Sequence, residues 1–218
     1  MAGNRGAVVL LHGLGRTGGS MRPLARSLRS AGFQTLAISY PSRRKSLEDI
    51  VDYLDPAVSS FAARTGESVH FVTHSLGGLV VRAFLAAHPP ANLGRVVMLA
   101  PPNGGSEWAN LLLKLNIGNL VLGPVSRHLM TSRHDDDEAM LSSPHYPVGV
   151  IAGDRALDPL FPRLVVPRPN DGKVSVAATK VAGMTDHIVL PVTHTLMVYN
   201  RRVKAQVESF LLNEAFDR

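Results

Sequence analysis

The sequence predicts a three-layer α/β domain, a mostly parallel six-stranded sheet with helices on both faces. Two observations predict it. Short β-rich runs alternate along the chain with stretches of helical periodicity, and the chain of 218 residues carries no internal repeat or linker. The β-rich runs are also apolar at successive positions instead of alternate ones, as strands buried on both faces must be.

The elements follow in order. Ala7–Leu11 reads as the first strand, ended by His12-Gly13. Met21–Ala31 is helical, with Leu24, Leu28 and Ala31 on one side, Ser20 as its cap and Gly32 as its stop. Phe33–Ser39 is the second strand. Ser46-Leu47-Glu48-Asp49 has the form of a capping box and opens a helix to about Arg64. Ser68–Thr73 is the third strand, and Leu76–His88 a helix stopped by Pro89-Pro90. Arg95–Ala100, Pro147–Ala152 and His187–Leu190 complete the strands. The last helix falls within His194–Leu212, with Leu196, Val203, Val207 and Phe210 on one side.

Gly104–Ser143 breaks the alternation. Roughly forty residues is too long for a structureless loop in a compact domain. The segment holds Trp108, Leu111-Leu112-Leu113 and Leu120-Val121-Leu122, and it predicts one or two helices over the carboxyl edge of the sheet, where α/β ligand sites form. The whole chain, 1–218, is therefore read as a single domain with a cap-like insertion at about 104–143.

Composition excludes several functions. There is no cysteine, which removes disulfides, thiolate metal sites and a cysteine nucleophile. No apolar run reaches the roughly 18 residues that span a bilayer. The net charge is +6 and the sequence pI about 10.1. Its cationic clusters, such as Arg43-Arg44-Lys45 and Arg201-Arg202, are dispersed and not interleaved with aromatic residues, so no specific nucleic-acid partner is expected. The apolar run after Met1 is too short for a secretory signal, which needs an apolar core of about 7–15 residues. The chain as written reads as cytoplasmic; a secreted protein with its signal already removed would read the same.

Thr73-His74-Ser75-Leu76-Gly77-Gly78 lies between a strand and a helix, the context in which a sharp turn projects a serine hydroxyl at a helix N-terminus. Small residues are needed around the serine, and Gly77 and Gly78 supply them. Thr73 stands where such a turn usually has glycine. The helix start and the Leu76 amide favour a developing oxyanion. Leu11-His12-Gly13-Leu14-Gly15 forms a second turn, whose Leu14 amide would be the other donor and whose shape His12 supports. Gly13-x-Gly15-x-x-Gly18 also matches a dinucleotide fingerprint in outline. The acidic residue expected about twenty positions on is missing, since Ser39-Tyr40 stand there.

Serine needs a base and a carboxylate to orient that base. In chain order the acid precedes the histidine. Asp154, Asp158 and Asp171 are the acids after the fifth strand. Asp171, in the polar turn Asn170-Asp171-Gly172, is preferred. His187 and His194 follow, and His194 is preferred because it lies in a loop just before the last helix. His74, Trp108 and Leu111, with His12, are the candidate substrate contacts. No metal site is expected: the acidic run Asp135–Glu138 lacks calcium-loop spacing and reads as a solvated loop or helix start.

Taken together, His12-Gly13-Leu14-Gly15, Thr73-His74-Ser75-Leu76-Gly77-Gly78, Pro101-Pro102-Asn103-Gly104-Gly105-Ser106, Asn170-Asp171-Gly172 and the His194 loop resemble the α/β-hydrolase superfamily, particularly small bacterial lipases and esterases. The resemblance implies an α/β-hydrolase fold with a small helical cap and no cofactor. It implies Ser75, Asp171 and His194 as a catalytic triad, and Leu14 and Leu76 as oxyanion donors. The expected substrate is a small or lipid-like carboxylic ester with a short- to medium-chain acyl or aryl group, with lipids and polyesters left open. A thioesterase, an acyltransferase or a non-catalytic binding protein would use the same scaffold.

Overall fold

The computed structural model describes residues 5–133, 135–156 and 165–218. Among them, six strands form one sheet in the order β2-β1-β3-β4-β5-β6, and every neighbouring pair is parallel. The strands are β1 (Ala7–Leu11), β2 (Gln34–Ile38), β3 (Val69–His74), β4 (Leu93–Leu99), β5 (Val148–Gly153) and β6 (Asp186–Leu190). The helices are α1 (Arg22–Ser30), α2 (Leu47–Thr65), α3 (Leu76–Ala87), α4 (Glu107–Lys114), α5 (Gly118–Leu122), α6 (Asp135–Met140), α7 (Val176–Thr179) and α8 (Arg201–Asn213).

The pleat explains the unbroken apolar runs. In β1, Ala7, Val9 and Leu11 face the core under α2 and α3, whereas Val8 and Leu10 face the core under α1 and α8. All five are fully buried. Each of its Val and Leu side chains taken out of water contributes about 1.5–3 kcal/mol, so the inner strands anchor the fold. The edge strands β2 and β6 are only partly buried, because each lacks a neighbour on one side.

The capping box of α2 forms: the Ser46 hydroxyl accepts from the Asp49 amide, and the Asp49 carboxylate accepts from the Ser46 amide. Two expectations are corrected. Ser20 does not cap α1; its hydroxyl donates to the Thr17 carbonyl, and the helix opens at Arg22 with Pro23 in its first turn, where a missing amide hydrogen costs nothing. Leu196 does not share the buried side of the last helix. Asn200 caps α8 at Arg202 and Val203, which leaves Leu196 outside it and half exposed.

The insertion folds into α4, α5, a 3₁₀ segment at Gly123–Leu129 and α6. Two buried arginines fasten it. Arg133 donates to the backbone carbonyls of Pro102, Asn103 and His128. Arg82 of α3 donates to Asn103 Oδ1 at 3.2 Å and to the carbonyls of Leu141 and Ser142. The acidic run is the start of α6, with Asp137 paired to Arg127 and His128. Among the described residues, no group of three or more acidic or histidine side chains is placed to hold a metal ion.

Candidate active site

β3 runs straight into α3, and the turn between them is a single residue. Ser75 takes φ 56° and ψ −124°, a conformation that L-residues rarely adopt, and its amide donates to the Leu99 carbonyl at 2.8 Å. The glycines that follow allow close approach. A Cβ on Gly77 would lie 2.6 Å from the Leu11 carbonyl oxygen, and one on Gly78 would lie 2.6 Å from Pro101 Cβ. The strand accommodates Thr73 by burying it completely, and its hydroxyl finds no hydrogen-bond partner among the described residues.

The Asp171 turn closes on itself. The Asp171 amide donates to the Val174 carbonyl, and Asp171 Oδ1 accepts from the amides of Lys173 and Val174 at 3.0 and 2.9 Å. The Asp171 carbonyl accepts from the His194 amide at 3.0 Å, which ties the acid turn to the histidine loop. Gly153, at the end of β5, gives that turn room: a Cβ there would come within 2.9 Å of Asp171 Cβ.

These loops bring three side chains into line. His194 Nδ1 lies 2.7 Å from Asp171 Oδ2, and His194 Nε2 lies 3.0 Å from Ser75 Oγ. A carboxylate only accepts, so Nδ1 carries the proton and Nε2 is free to take one from the serine. Burial pushes the Asp171 carboxyl up, but the His194 ring and the two amides outweigh it, and the net shift is downward. Asp171 is thus held ionised where a charge is costly.

The other candidates sort by position. Asp154 pairs with its neighbour Arg155, and His187 Nε2 meets Thr179 Oγ1; neither pair involves Ser75 or His194. Asp158 lies outside the described residues. His12, expected near substrate, is fully buried and does not line the cavity over Ser75. Its ring stacks on Tyr40 with centroids 4.0 Å apart. Nδ1 donates to the Gly13 carbonyl and Nε2 accepts from the Tyr40 amide, while the Tyr40 hydroxyl donates to the His12 carbonyl. His12 therefore holds the Gly13–Arg16 turn, whose ends are joined by the Arg16 amide and the Gly13 carbonyl. Burial lowers its pKa, in keeping with a neutral ring that both donates and accepts.

His74, a candidate substrate contact, lines the cavity, and its Nε2 lies 3.0 Å from the His194 carbonyl oxygen. Burial and then the nearby His194 push it down to about 3, so it is a neutral donor. Nothing in the local sequence signals this bond, which joins residues far apart in the chain.

The cavity above Ser75 has a volume of roughly 500 Å³, within the usual range for small-molecule sites. Trp108, Ala109, Val121, Leu122 and Leu129 of the insertion wall it, facing Leu14 and Leu76. Leu111 is corrected: helix α4 presents Trp108 and Ala109 to the cavity, which leaves Leu111 outside the lining, and Val121 and Leu122 take its place.

Solved structures with the same fold include the mature form of the Bacillus licheniformis lipase BlEst2, with a TM-score of 0.79 at 17% identity, covering 95% of this chain and 91% of that one. A metagenomic carboxyl esterase gives 0.67 at 19% identity, over 90% of this chain and 66% of that one. The phospholipase PlaB from Legionella pneumophila gives 0.65 at 22% identity, over 88% of this chain and 53% of that one. No curated protein sequence matches. The profile of the Alpha/beta hydrolase family aligns with residues 8–206, from β1 into the last helix, and the chain belongs to that family.

Proposed function

We propose that this protein hydrolyses carboxylic esters through a serine acyl-enzyme intermediate. One observation carries the reading: the unbroken line from Asp171 Oδ2 through both nitrogens of His194 to Ser75 Oγ, at 2.7 and 3.0 Å. In the first half-reaction, Ser75 Oγ bonds to the ester carbonyl carbon while its proton passes to His194 Nε2. Asp171 stabilises the imidazolium that forms. The amides of Leu14 and Leu76 hold the tetrahedral oxyanion, at the Gly13 turn and the α3 N-terminus. The carbon–oxygen bond to the alcohol then breaks, and His194 returns the proton to the leaving oxygen. Water repeats the sequence in the second half-reaction and frees the acid and Ser75.

The apolar walls of the cavity suit short- to medium-chain acyl or aryl groups, and residues 104–143 act as the cap that shapes them. Trp108, with the cavity face of His74, contacts the substrate. The likeness to a lipase and a carboxyl esterase supports the same class of bond. The test is turnover of p-nitrophenyl esters from acetate to palmitate beside Ser75→Ala. Turnover lost in the variant supports the reading, and its chain-length profile sizes the cavity. Turnover retained in a folded Ser75→Ala protein would reject Ser75 as the nucleophile.

A further inference from the structure

The cavity over Ser75 is apolar within and cationic at its mouth. Arg16, Arg43 and Lys173 line it from three separate loops, and among the described residues no carboxylate lines it. The side chains of Arg43 and Lys173 are held in place, and Arg16 projects from an anchored backbone. Arg16 ends the Gly13 turn. Arg43 Nη2 donates to the Leu120 carbonyl at 3.0 Å, and its loop is joined to the Gly13 turn where the Gly15 amide donates to Ser42 Oγ. Lys173 Nζ lies 5.6 Å from the Trp108 ring centroid.

Some arginines elsewhere on the chain are matched by acids: Arg95 with Glu214, Arg127 with Glu48 and Asp137, Arg133 with Glu138, Arg218 with Asp186. Among the described residues, no ion pair reaches Arg16, Arg43 or Lys173. Lys173 is half-buried, and burial together with the nearby Arg16 lowers its pKa against the opposing pull of Asp171. Two like charges held close, one of them partly desolvated, are relieved by an anion between them.

Resting on the ester-hydrolase reading, we propose that the substrate carries an anionic group, a phosphate or carboxylate, which Arg16, Arg43 and Lys173 hold at the mouth while the apolar part lies against Trp108, Val121 and Leu122. The ester substrate is then amphiphilic and negatively charged, not neutral.

Trp108 is the only tryptophan and lines the cavity, so its fluorescence reports binding without any need for turnover. The probes are hexyl phosphate and hexanol, titrated at low and at about 0.5 M salt. The expected result is at least tenfold tighter binding of hexyl phosphate at low salt, with the difference shrinking as salt screens the charges. Lys173→Gln and Arg16→Gln, checked for folding by circular dichroism, each reduce that difference several-fold. Equal affinities for the two probes would overturn the proposal. So would phosphatidylglycerol vesicles binding where hexyl phosphate does not, which would assign the cations to a lipid surface. A kinetic arm compares mono-4-nitrophenyl glutarate with 4-nitrophenyl butyrate. Hydrolysis of both without preference for the anionic ester sinks this inference and leaves the hydrolase reading. Tight hexyl phosphate binding with no hydrolysis of either ester does the reverse.

Discussion

His74 Nε2 donates to the backbone carbonyl of His194 at 3.0 Å, so the residue beside the serine holds the loop that carries His194. The two rings lie with centroids 4.9 Å apart. Their residues come from the end of β3 and the loop after β6, which are not neighbours in the sheet. The bond is thus a brace across the top of the molecule, and it fixes how His194 presents Nε2 to Ser75.

Replacing His74 with Phe removes the donor and keeps a ring of similar bulk. One neutral hydrogen bond is worth about 0.5–1.5 kcal/mol, which corresponds to a loss of roughly 2- to 13-fold if all of it bears on the transition state. The expected outcome is a fall of that size in kcat on a p-nitrophenyl ester with KM little changed. His74→Gln, whose amide nitrogen can reach where Nε2 stood, restores part of it. An unchanged kcat in His74→Phe would show that the brace does not position the base.

Asp171→Asn tests the other end of the line. The amide can donate where the carboxylate accepted, which favours the wrong tautomer of His194 and leaves the imidazolium unsupported. A drop in kcat of about 10⁴-fold is expected, with residual activity from the oxyanion donors. Steady-state kinetics check it; a loss under tenfold would mean that another carboxylate serves His194.

Gly77→Ala tests the oxyanion turn through its support. The added methyl would lie 2.6 Å from the Leu11 carbonyl and 3.0 Å from that of His12, so the backbone leading into Gly13 and Leu14 must move. Overpacking of this kind costs about 1–3 kcal/mol of stability. A lower melting temperature with a disproportionate fall in kcat is expected. Full activity with unchanged stability would show that the turn tolerates displacement.

The legible parts of this protein are those written in contiguous residues. Strand β3, Ser75 and the two glycines form one unbroken pattern, and doubly buried strands such as β1 and β5 need no partner information to be recognised. The Asn170-Asp171-Gly172 turn was readable because its polar residues bond to its own backbone. Leu111 was misplaced because a run of leucines does not say which face of a short helix meets the cavity and which meets solvent. His12 supports its turn as read, but it fails as a substrate contact because its partner, Tyr40, comes from the loop after a different strand and buries the ring. The role of His74 and the convergence of Arg16, Arg43 and Lys173 depend wholly on the order of the strands, which periodicity leaves open.

Stability should depend on pH through buried histidines. His70 is buried in β3, where its Nδ1 accepts from the Arg95 amide at 2.9 Å. Burial and then the Arg95 charge push it down to about 4, and His74 is pushed down to about 3. In the unfolded chain both titrate near 6.5. Below about 6.5 the unfolded chain therefore binds more protons than the folded one. The stability these neutral rings contribute is complete above that pH and is lost as pH falls through the window toward their folded values, at up to about 1.4 kcal/mol per pH unit for each. Asp171, whose pKa is also lowered, acts further down: its contribution is present above about 3.9 and is lost only at more acid pH. Urea unfolding at pH 7.5, 6.0 and 5.0 measures the first window. His70→Asn keeps an acceptor for the Arg95 amide and removes the titrating ring. It should be less stable than the parent at pH 7.5, since a ring packed over Gly94 is lost, and the gap should narrow as pH falls. A gap that stays constant from pH 7.5 to 5.0 would show that His70 does not resist protonation in the folded protein.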